Sequence, residues 1–358
     1  MGKKEDFEGI MKIAVCSVQV PFVKGGAEYL CDNLYSELIK RHYEVEYIKI
    51  PFKWYPPQEL INNALIWRLL DLTESDGKKI DGVITTKFPS YVIKHPKKIT
   101  WLFHQHRPVY DLAYTHYDDL APHHALGDII RKKITAIDNK SLKESRKIFT
   151  ISQNVTNRLD KYNHIPSEVL YPPPPFAGRY YCKNFDNYIL YPSRLDPKKR
   201  QDLVIKSLKY VDDNIELKIV GTGPYCNFLR KTAKENGVEN RVEFLGFVPE
   251  NELLDLYANA LCIPYTPFDE DLGYVSMESI LSKKPLITCT DSGGSLEFIE
   301  NGVTGFIVQP TPLDIAEAIN KIYIEGSARK MGEQGHKKFG NKLLTWDSVI
   351  AKLMDAIS

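Results

Sequence analysis

Residues 261–285 read LCIPYTPFDEDLGYVSMESILSKKP, and this stretch predicts a short strand, a loop and a helix. The apolar run 261–264 ends in a proline and is followed by further turn residues. Apolar side chains then recur at a spacing that suits a helix packed on a sheet, at Val275, Met277, Ile280 and Leu281. Glu270 therefore falls in the strand-to-helix loop, and Glu278 lies one to two turns into the helix.

The start of this helix has the chemistry of an anion site. Gly273 lets the backbone come close to a ligand, and a helix N-terminus offers unpaired N–H groups with a partial positive charge. Carboxylates such as Glu270 and Glu278 accept paired hydrogen bonds from vicinal diols. A phosphate site flanked by two acids that bind diols describes a nucleoside diphosphate sugar, with ribose at one end and a hexose at the other.

The spacing of Glu270 and Glu278, with seven residues between them, resembles the signature of glycosyltransferase family 4, the retaining glycosyl transferases group 1. The strand at 286–288 and the sequence SGGSLEFIENGVTGFIV at 292–308 are similar to the segment on the C-terminal side of the signature in that family. Asp271-Leu272 replaces the more usual Gly-Phe, and Val275 replaces Pro. The resemblance implies that Glu270, Gly273, Tyr274 and Glu278 contact the sugar donor, and it leaves the sugar unidentified.

Composition sets the outer limits. The 358 residues are 43% apolar and 26% charged, which predicts a globular protein large enough for two domains. No apolar run has the length of a membrane span and the start lacks a signal-peptide core, so we expect a cytoplasmic location. The net charge of +1 argues against a nucleic-acid partner. The six cysteines show no CxxC spacing, which favours buried free thiols over disulfides or a zinc site.

The first half opens like a nucleotide-binding fold. Residues 13–18 form an apolar strand typical of a buried parallel sheet, followed by Gly25-Gly26 and a helical pattern. A tight turn that needs positive φ explains the glycine pair equally well. Family 4 enzymes have a similar Gly-Gly-x-Glu loop whose backbone faces the donor diphosphate, and the resemblance assigns that role to Gly25 and Gly26.

Further strands are predicted at 44–50, 82–87, 98–103 and 147–151, alternating with helices near 59–72, 126–144 and 155–162, which indicates a doubly wound sheet. The strand at Ile99 ends in His104-Gln105-His106, and ligands bind beyond such strand ends. No acid at metal-ligand spacing accompanies the histidines, so we predict no metal site. The resemblance places one histidine near the anomeric carbon, with His104 as the best match and His106 as its competitor.

Pro172–Pro175 interrupt the alternation, because four prolines fit neither a helix nor a central strand. We therefore predict a first domain at 11–171, a linker at 172–186 and a second domain at 187–340. Residues 341–358 form a terminal helix, which includes Leu343 and Leu344. In related enzymes such a helix crosses back to the first domain.

The second half repeats the strand-and-helix pattern. After a strand at 188–191, Arg194 and Lys199 match the family residues that grip the donor diphosphate, and Arg200 stands where glycine is commoner. A solvated basic turn is the alternative for Lys198 and Arg200. The Gly221-Thr222-Gly223 turn is expected to be structural. Phe247 and Val248 match the segment that frames the nucleobase in the family.

Together these features predict an α/β protein with two Rossmann-like domains facing across a cleft, the GT-B architecture. The resemblance implies a retaining hexosyltransferase of polysaccharide biosynthesis, with a nucleoside diphosphate sugar as donor and His104 and Glu270 as catalytic residues. It implies no cofactor and no metal, although Asp269-Glu270-Asp271 spells the Asp-x-Asp of metal-dependent enzymes of another fold. The rivals are a catalytically silent nucleotide-sugar binding protein and a sugar phosphorylase or epimerase on the same fold.

The acceptor is the least determined part of the prediction, and both a saccharide and a lipid-linked molecule fit. Residues 51–57 and the helix at 60–70 are rich in aromatic and apolar side chains. A helix packed on its own domain explains them best. The alternative is a peripheral contact with an anionic membrane, to which Lys94, Lys97 and Lys98 would add basic charge.

Overall fold

A computed structural model describes residues 10–23, 25–340 and 345–358. The chain divides into two compact units, one comprising residues up to Pro175 together with Thr345–Ser358, the other comprising Phe176–Leu344. Residues 183–186 of the predicted linker belong to the second unit, where the N–H groups of Lys183, Asn184 and Asp186 donate to the carbonyls of Ala258 and Asn259. Leu343 and Leu344, predicted to open the terminal helix, lie outside the described residues.

The first unit is built on a parallel six-stranded sheet with the order β2-β1-β5-β6-β7-β8. Its central strands are buried throughout, as their continuous apolar runs predict. The strands of this unit, including the small β3-β4 hairpin, are β1 Lys12–Gln19, β2 Glu44–Pro51, β3 Glu74–Ser75, β4 Lys78–Lys79, β5 Gly82–Thr85, β6 Lys98–Leu102, β7 Lys147–Thr150 and β8 Glu168–Val169. The helices that connect them are α1 Gly26–Lys40, α2 Gln58–Leu69, α3 His124–Lys143 and α4 Gln153–Asn163.

The strand order of the first unit reverses between β1 and β5, since the chain moves from β1 outward to β2 and then returns to the other side. Ligands of open parallel sheets bind at such a reversal, beyond the carboxyl ends of the strands. The loop with Gly25, which follows β1, therefore lies at the switch point. His104 follows β6, the next strand in the sheet.

The second unit contains two parallel three-stranded sheets, β11-β10-β9 and β12-β13-β14. A parallel bridge between Ile189 and Cys262 connects β9 to the start of β12. The strands are β9 Tyr188–Pro192, β10 Glu216–Val220, β11 Val242–Gly246, β12 Ile263–Pro264, β13 Leu286–Cys289 and β14 Gly305–Val308. The helices are α5 Gln201–Ser207, α6 Cys226–Glu235, α7 Glu250–Asn259, α8 Tyr274–Leu281, α9 Pro312–Ile324 and α10 Ala328–Phe339.

This order places the switch point of the second unit between β9 and β12, because the chain runs outward from β9 through β10 and β11, and outward again from β12 through β13 and β14. The loops that follow β9 and β12 are thus neighbours, although about 70 positions separate them in sequence. They carry Lys199 and Glu270.

The terminal helix, α11 Trp346–Ile357, packs on the first unit. Trp346 lies edge-on against Trp101, with ring centroids 6.3 Å apart, and Lys352 Nζ donates to Glu168 Oε1 at 2.8 Å. A Cβ on Gly82 would come within 2.5 Å of Ile357 Cγ2, so glycine at the start of β5 makes room for the helix.

The helix α2 has one buried and one exposed apolar face. Leu60 and Trp67 are buried against the first unit, whereas Leu65, Ile66 and Leu69 face solvent, and Leu69 is 83% exposed. Among the described residues, no helix is both long and apolar enough to cross a membrane.

The expectation that Lys98 adds surface charge is wrong. Lys98 is fully buried, and its ammonium donates to the carbonyls of Tyr91, Ile93 and Ser141 at 2.7–3.0 Å. Its position at the start of the buried strand β6 sends the side chain inward, where three backbone acceptors replace water. The six cysteines are free thiols, four of them buried, at Cys16, Cys31, Cys262 and Cys289.

Candidate functional site

The centre of the candidate site in the second unit is an ion pair between the two switch-point loops. Lys199 Nζ lies 2.5 Å from Glu270 Oε2 and donates to the hydroxyl of Tyr265 at 3.1 Å. The side chains of Lys199 and Glu270 remain 21% and 25% exposed. A paired cation and carboxylate thus stand side by side at the surface where the fold predicts a ligand.

Arg194 lies in the same β9 loop and is exposed. Its guanidinium forms no ion pair with any residue that the structure describes. The backbone beneath it is fixed, because the N–H groups of Ser193 and Leu195 donate to the carbonyls of Val220 and Thr222 at 2.9 and 3.0 Å. The cation therefore projects from a rigid loop, where an anionic ligand could reach it.

The Gly221-Thr222-Gly223 turn explains how the β9 loop is supported. A Cβ on Gly221, which has a φ of 125°, would lie 2.0 Å from the carbonyl oxygen of Ser193. A Cβ on Gly223 would lie 2.2 Å from the carbonyl oxygen of Leu195. The two glycines are structural, as expected, and they permit close packing against the loop that carries Arg194.

Gly273 immediately precedes α8 and has a φ of 79°, a left-handed conformation that favours glycine. A Cβ there would approach Ser295 Oγ to 2.7 Å. Tyr274 follows as the first residue of the helix and is half-buried. The first turn of α8, with its positive dipole end, thus begins directly after the loop that holds Glu270.

Glu278 lies in a different environment from Glu270. It is 8% exposed, and Tyr257 donates its hydroxyl to Glu278 Oε2 at 2.5 Å. Burial raises the pKa of the Glu278 carboxyl, and the hydrogen bond from Tyr257 opposes part of that rise. The second carboxylate of the signature is therefore set into a pocket with tyrosines.

Backbone hydrogen bonds tie the Glu270 loop to the loop that follows β13. The N–H of Asp269 donates to the carbonyl of Asp291 at 2.8 Å, and the N–H of Glu270 donates to that of Ser292 at 3.2 Å. Gly294 N–H returns a bond to the Glu270 carbonyl at 2.7 Å. The family-like Ser292-Gly293-Gly294 sequence therefore braces Glu270.

The alternative of a solvated basic turn is wrong for Arg200. Its guanidinium forms a bidentate pair with Asp291, with distances of 2.6 and 2.8 Å, and also donates to the carbonyls of Thr266 and Pro267. The partner acid is 91 positions away, which is why the local charge pattern could not reveal it.

Phe247 and Val248 follow β11, two strands from the Arg194 loop, a distance of about 10 Å at ordinary strand spacing. Phe247 is 79% exposed, whereas Val248 is buried. The preceding Gly246 has a φ of 67° and accepts a hydrogen bond from Gly221 N–H at 2.7 Å. An exposed ring thus stands at the same edge of the sheet as the cations.

In the first unit, Gly25 precedes α1 with an extended φ of −154°. The alternative of a turn needing positive φ is therefore wrong at Gly25. Its N–H donates to Glu28 Oε2 at 3.0 Å, and Lys87 Nζ lies 2.6 Å from Glu28 Oε1. Gly26 is exposed as the first helical residue. The Glu of the Gly-Gly-x-Glu loop thus caps the helix and pairs with a buried lysine.

His104 and His106 both lie just beyond β6 and are partly buried. His104 Nδ1 is 2.8 Å from the carbonyl oxygen of Gln105, while His106 packs against Phe88 and lies 3.8 Å from Asp119. Between the histidines, Gln105 is buried. Its amide donates to Asn163 Oδ1 at 2.9 Å and to Asp138 Oδ2 at 3.4 Å. Buried polar contacts therefore anchor the loop that carries both rings.

Several contact residues of the site carried no local signal. Tyr257 and Tyr265 read as ordinary apolar positions of a helix and a strand end, and Asp291 reads as a turn residue. Strand order, which brings β9, β12 and β13 together, identifies Tyr265 and Asp291, and the packing of α7 against α8 identifies Tyr257. Within the described parts of the chain, no group of three or more His, Cys, Asp or Glu side chains could hold a metal ion.

Comparison with known proteins finds a family match in the second half of the chain. Residues 183–338 match the model of glycosyl transferases group 1. The α-1,3/1,6-mannosyltransferase ALG2 of Dictyostelium discoideum is 38% identical over 115 residues, 32% of this chain and 27% of that protein. The GDP-mannose-dependent α-(1-6)-phosphatidylinositol monomannoside mannosyltransferase of Mycobacterium tuberculosis is 34% identical over 175 residues, 46% of this chain and 45% of that one. The matches span less than half the length of these two relatives.

The solved structures give the fold. The Anabaena protein Alr3699/HepE, determined in complex with UDP and glucose, superposes with a TM-score of 0.70 at 18% identity, covering 97% of this chain and 99% of that one. The prediction of a two-domain α/β fold of the GT-B type is confirmed. The match to the glycosyl transferases group 1, at residues 183–338, lies within the second unit, Phe176–Leu344.

Proposed function

We propose that this protein is a retaining glycosyltransferase that moves a hexose from a nucleoside diphosphate sugar to a saccharide or lipid-linked acceptor in glycan biosynthesis, without a metal ion. The observation that carries the proposal is the Lys199–Glu270 pair at the switch point of the second unit, next to the exposed Arg194 and the first turn of α8. This combination offers cations to a diphosphate and a carboxylate to sugar hydroxyls.

Charge accounts for the proposed mechanism. When the bond between the sugar and the diphosphate breaks, negative charge develops on the departing phosphate oxygens. Arg194, Lys199 and the N–H groups of the first turn of α8 can stabilise that charge, as preorganised donors do in other enzymes. They would take the part that a divalent cation plays elsewhere, so a metal chelator should leave the rate unchanged.

The two carboxylates then bind different parts of the donor. We propose that Glu278, beside Tyr257, accepts hydrogen bonds from the ribose diol, and that Glu270, in the more exposed loop, binds the hydroxyls of the hexose. Phe247 and Val248 would flank the base. The roles of Gly25 and Gly26 at the diphosphate and of His104 at the sugar stay predictions from the family resemblance.

The names of the related proteins guide the choice of substrates. Both mannosyltransferase relatives support a hexosyl donor, and one is named as dependent on GDP-mannose, whereas the Anabaena structure holds UDP and glucose. The donor panel should therefore include both bases. The mycobacterial relative acts, by its name, on a phosphatidylinositol monomannoside, which favours trying a lipid-linked acceptor.

A peripheral membrane contact is favoured by the exposed apolar face of α2. Leu65, Ile66 and Leu69 face solvent together, and Tyr55, just before the helix, is 59% exposed beside Lys53. Apolar side chains next to an aromatic ring and a lysine suit a membrane interface. Flotation with anionic vesicles should bring the protein to the lipid fraction, and Leu65→Ser with Leu69→Ser should abolish this. Failure to float at low salt would favour a soluble saccharide acceptor.

Donor hydrolysis and transfer measured against GDP-mannose, UDP-glucose and other nucleoside diphosphate sugars test the proposal directly. We expect turnover with at least one donor, inhibition by its nucleoside diphosphate and no effect of chelator. Turnover that requires free phosphate or a sugar phosphate would instead identify a phosphorylase. Conversion of the donor to an isomeric nucleoside diphosphate sugar would identify an epimerase, and binding without any turnover would identify a silent binding protein.

A further inference from the structure

Arg200 occupies a backbone conformation that a non-glycine residue rarely adopts. Its φ is 55° and its ψ is 36°, at the junction between a short 3-10 turn, residues 197–199, and α5. Glycine would adopt this conformation without strain. The arginine side chain must therefore contribute interactions that offset the strain of its own backbone.

All of these interactions are made with the loop that carries Glu270, or with Asp291 in the loop that follows β13. Arg200 Nε donates to the carbonyl of Thr266 and Nη2 to that of Pro267, each at 2.8 Å. The other bonds go to Asp291, with Nη1 at 2.8 Å from Oδ2 and Nη2 at 2.6 Å from Oδ1. The guanidinium also lies 5.7 Å from the ring centroid of Phe268. The rigid fork of arginine suits this set of acceptors.

The three segments that meet at Arg200 are those that define the position of Glu270. The first is the turn 197–199, which supplies Lys199 and whose Lys198 carbonyl accepts the Phe268 N–H at 2.7 Å. The second is the loop at 266–270 itself. The third begins at Asp291, whose carbonyl accepts the N–H of Asp269 at 2.8 Å. Moving the guanidinium would break its own bonds to Thr266, Pro267 and Asp291 at the base of the Glu270 loop.

We infer that Arg200 and Asp291 are positioning residues for Glu270, and that they set how well the site engages the sugar half of the donor. The inference rests on the proposed function, because it concerns the same site. Arg200 acts through the loop, since its donors are engaged by protein acceptors, and it contributes little to the nucleotide half. That half is assigned to Glu278 and α8, which lie beyond the braced segment.

The test uses variants of the full chain. Arg200→Gly removes the guanidinium and suits the left-handed backbone, so the variant should fold. Arg200→Lys retains the positive charge but not the forked guanidinium. Asp291→Asn removes the negative charge from the bidentate pair with Arg200. Arg241→Ala is the matched control. Arg241 also donates to several backbone carbonyls of the second unit, among them Leu208, Asp212 and Ile215, but it lies on a turn away from the site.

Calorimetry compares the affinity of each variant for GDP-mannose with that for GDP, and for UDP-glucose with that for UDP. With whichever pair the wild-type protein binds, we expect Arg200→Gly to weaken binding of the sugar donor about tenfold while binding of the bare nucleotide changes less than about twofold. Arg200→Lys should behave like Arg200→Gly, and Asp291→Asn should lose about threefold. Arg241→Ala should lower the melting temperature and leave the ratio of affinities unchanged.

Combination with Glu270→Gln adds a second readout. If Arg200 acts through Glu270, adding Arg200→Gly to Glu270→Gln should not weaken binding of the sugar donor any further. The effects of two coupled residues are not additive. An unchanged ratio in Arg200→Gly, or fully additive losses in the double variant, would overturn the inference while leaving the proposed function intact. Absence of binding to any nucleoside diphosphate sugar by the wild-type protein would instead overturn the proposed function.

Discussion

Two carboxylates eight positions apart, one in the loop after β12 and one in α8, occupy opposite environments. Glu270 is a quarter exposed and lies against the ammonium of Lys199, whereas Glu278 is almost buried and receives the hydroxyl of Tyr257. A cation lies beside one carboxylate, and the other is surrounded by buried protein atoms. The contrast teaches that one sequence signature holds two chemically distinct groups, which should fail in different ways when they are changed.

The largest effect should come from separating Glu270 from its cation. Lys199→Ala removes a charge donor of the proposed diphosphate site and also the partner of Glu270. We expect transfer to fall by about 10² or more, the scale for removing one preorganised donor. Steady-state kinetics measures this loss. Lys338→Ala, which breaks a surface pair with Glu300 in the same unit, should leave turnover unchanged. Equal turnover in Lys199→Ala and wild type would contradict the assignment.

His104→Ala should show whether a residue of the first unit also takes part in the transfer for which Glu270 and Glu278 are proposed. Under the catalytic prediction, transfer falls by about 10² while nucleotide affinity and melting temperature are kept, because a ring at the sugar acts in the chemical step. His106→Ala is the matched control on the same loop. A lower melting temperature with turnover per folded molecule retained would make His104 structural, and loss of transfer in His106→Ala alone would transfer the role to His106.

Arg194→Ala should have a smaller effect, because it leaves the Lys199–Glu270 pair in place. We expect a loss of roughly 2 kcal/mol of transition-state stabilisation, about 30-fold in kcat/KM. The melting temperature should not change, since the guanidinium is exposed and unpaired within the described residues. Unchanged kcat/KM would remove Arg194 from the phosphate site and leave the charge balance to Lys199 and α8.

The burial of Glu278 predicts that the stability of the protein depends on pH. Burial raises the pKa of Glu278 above its usual value in the folded protein, so folding favours the protonated form. Its contribution to stability is present below the unfolded pKa of about 4.3 and is lost as pH rises through the folded pKa. Glu278→Gln does not titrate. Between the unfolded and the folded pKa of Glu278, the free energy of unfolding of Glu278→Gln should therefore rise relative to that of the wild type. The rise should be up to about 1.4 kcal/mol per pH unit.

Denaturant unfolding of both proteins between pH 4 and pH 8 measures this difference. Tyr257→Phe is a useful companion variant, because removing the hydroxyl that stabilises the carboxylate should raise the pKa of Glu278 further and widen the window. A difference between Glu278→Gln and wild type that does not change with pH would show that Glu278 keeps its charge on folding, against the effect expected from burial.

The sequence predicted the elements well and the contacts between them poorly. Continuous apolar runs such as the one at Ile13 identified the buried strands, and the Glu270–Glu278 spacing indicated the family that residues 183–338 match, because both signals are local in the chain. The pairing of Lys199 with Glu270 and of Arg200 with Asp291 depends on strand order, which periodicity does not contain.

Burial of charged residues was the other source of error. Lys98 reads as one of a group of surface lysines, yet it is fully buried, because its strand lies in the middle of the sheet. The sequence could not predict the φ of Gly25 either, because a glycine at a strand-to-helix junction fits both extended and left-handed backbone. Both features are decided by tertiary packing.

The measurement that tests the division of the site most directly is calorimetry of Glu278→Ala and Glu270→Ala with a bare nucleoside diphosphate and with the corresponding sugar donor. We expect Glu278→Ala to weaken binding of both ligands, because the ribose is common to them. We expect Glu270→Ala to weaken only the binding of the sugar donor. Equal losses in the two variants for the bare nucleotide would show that Glu270 and Glu278 do not bind different halves of the donor.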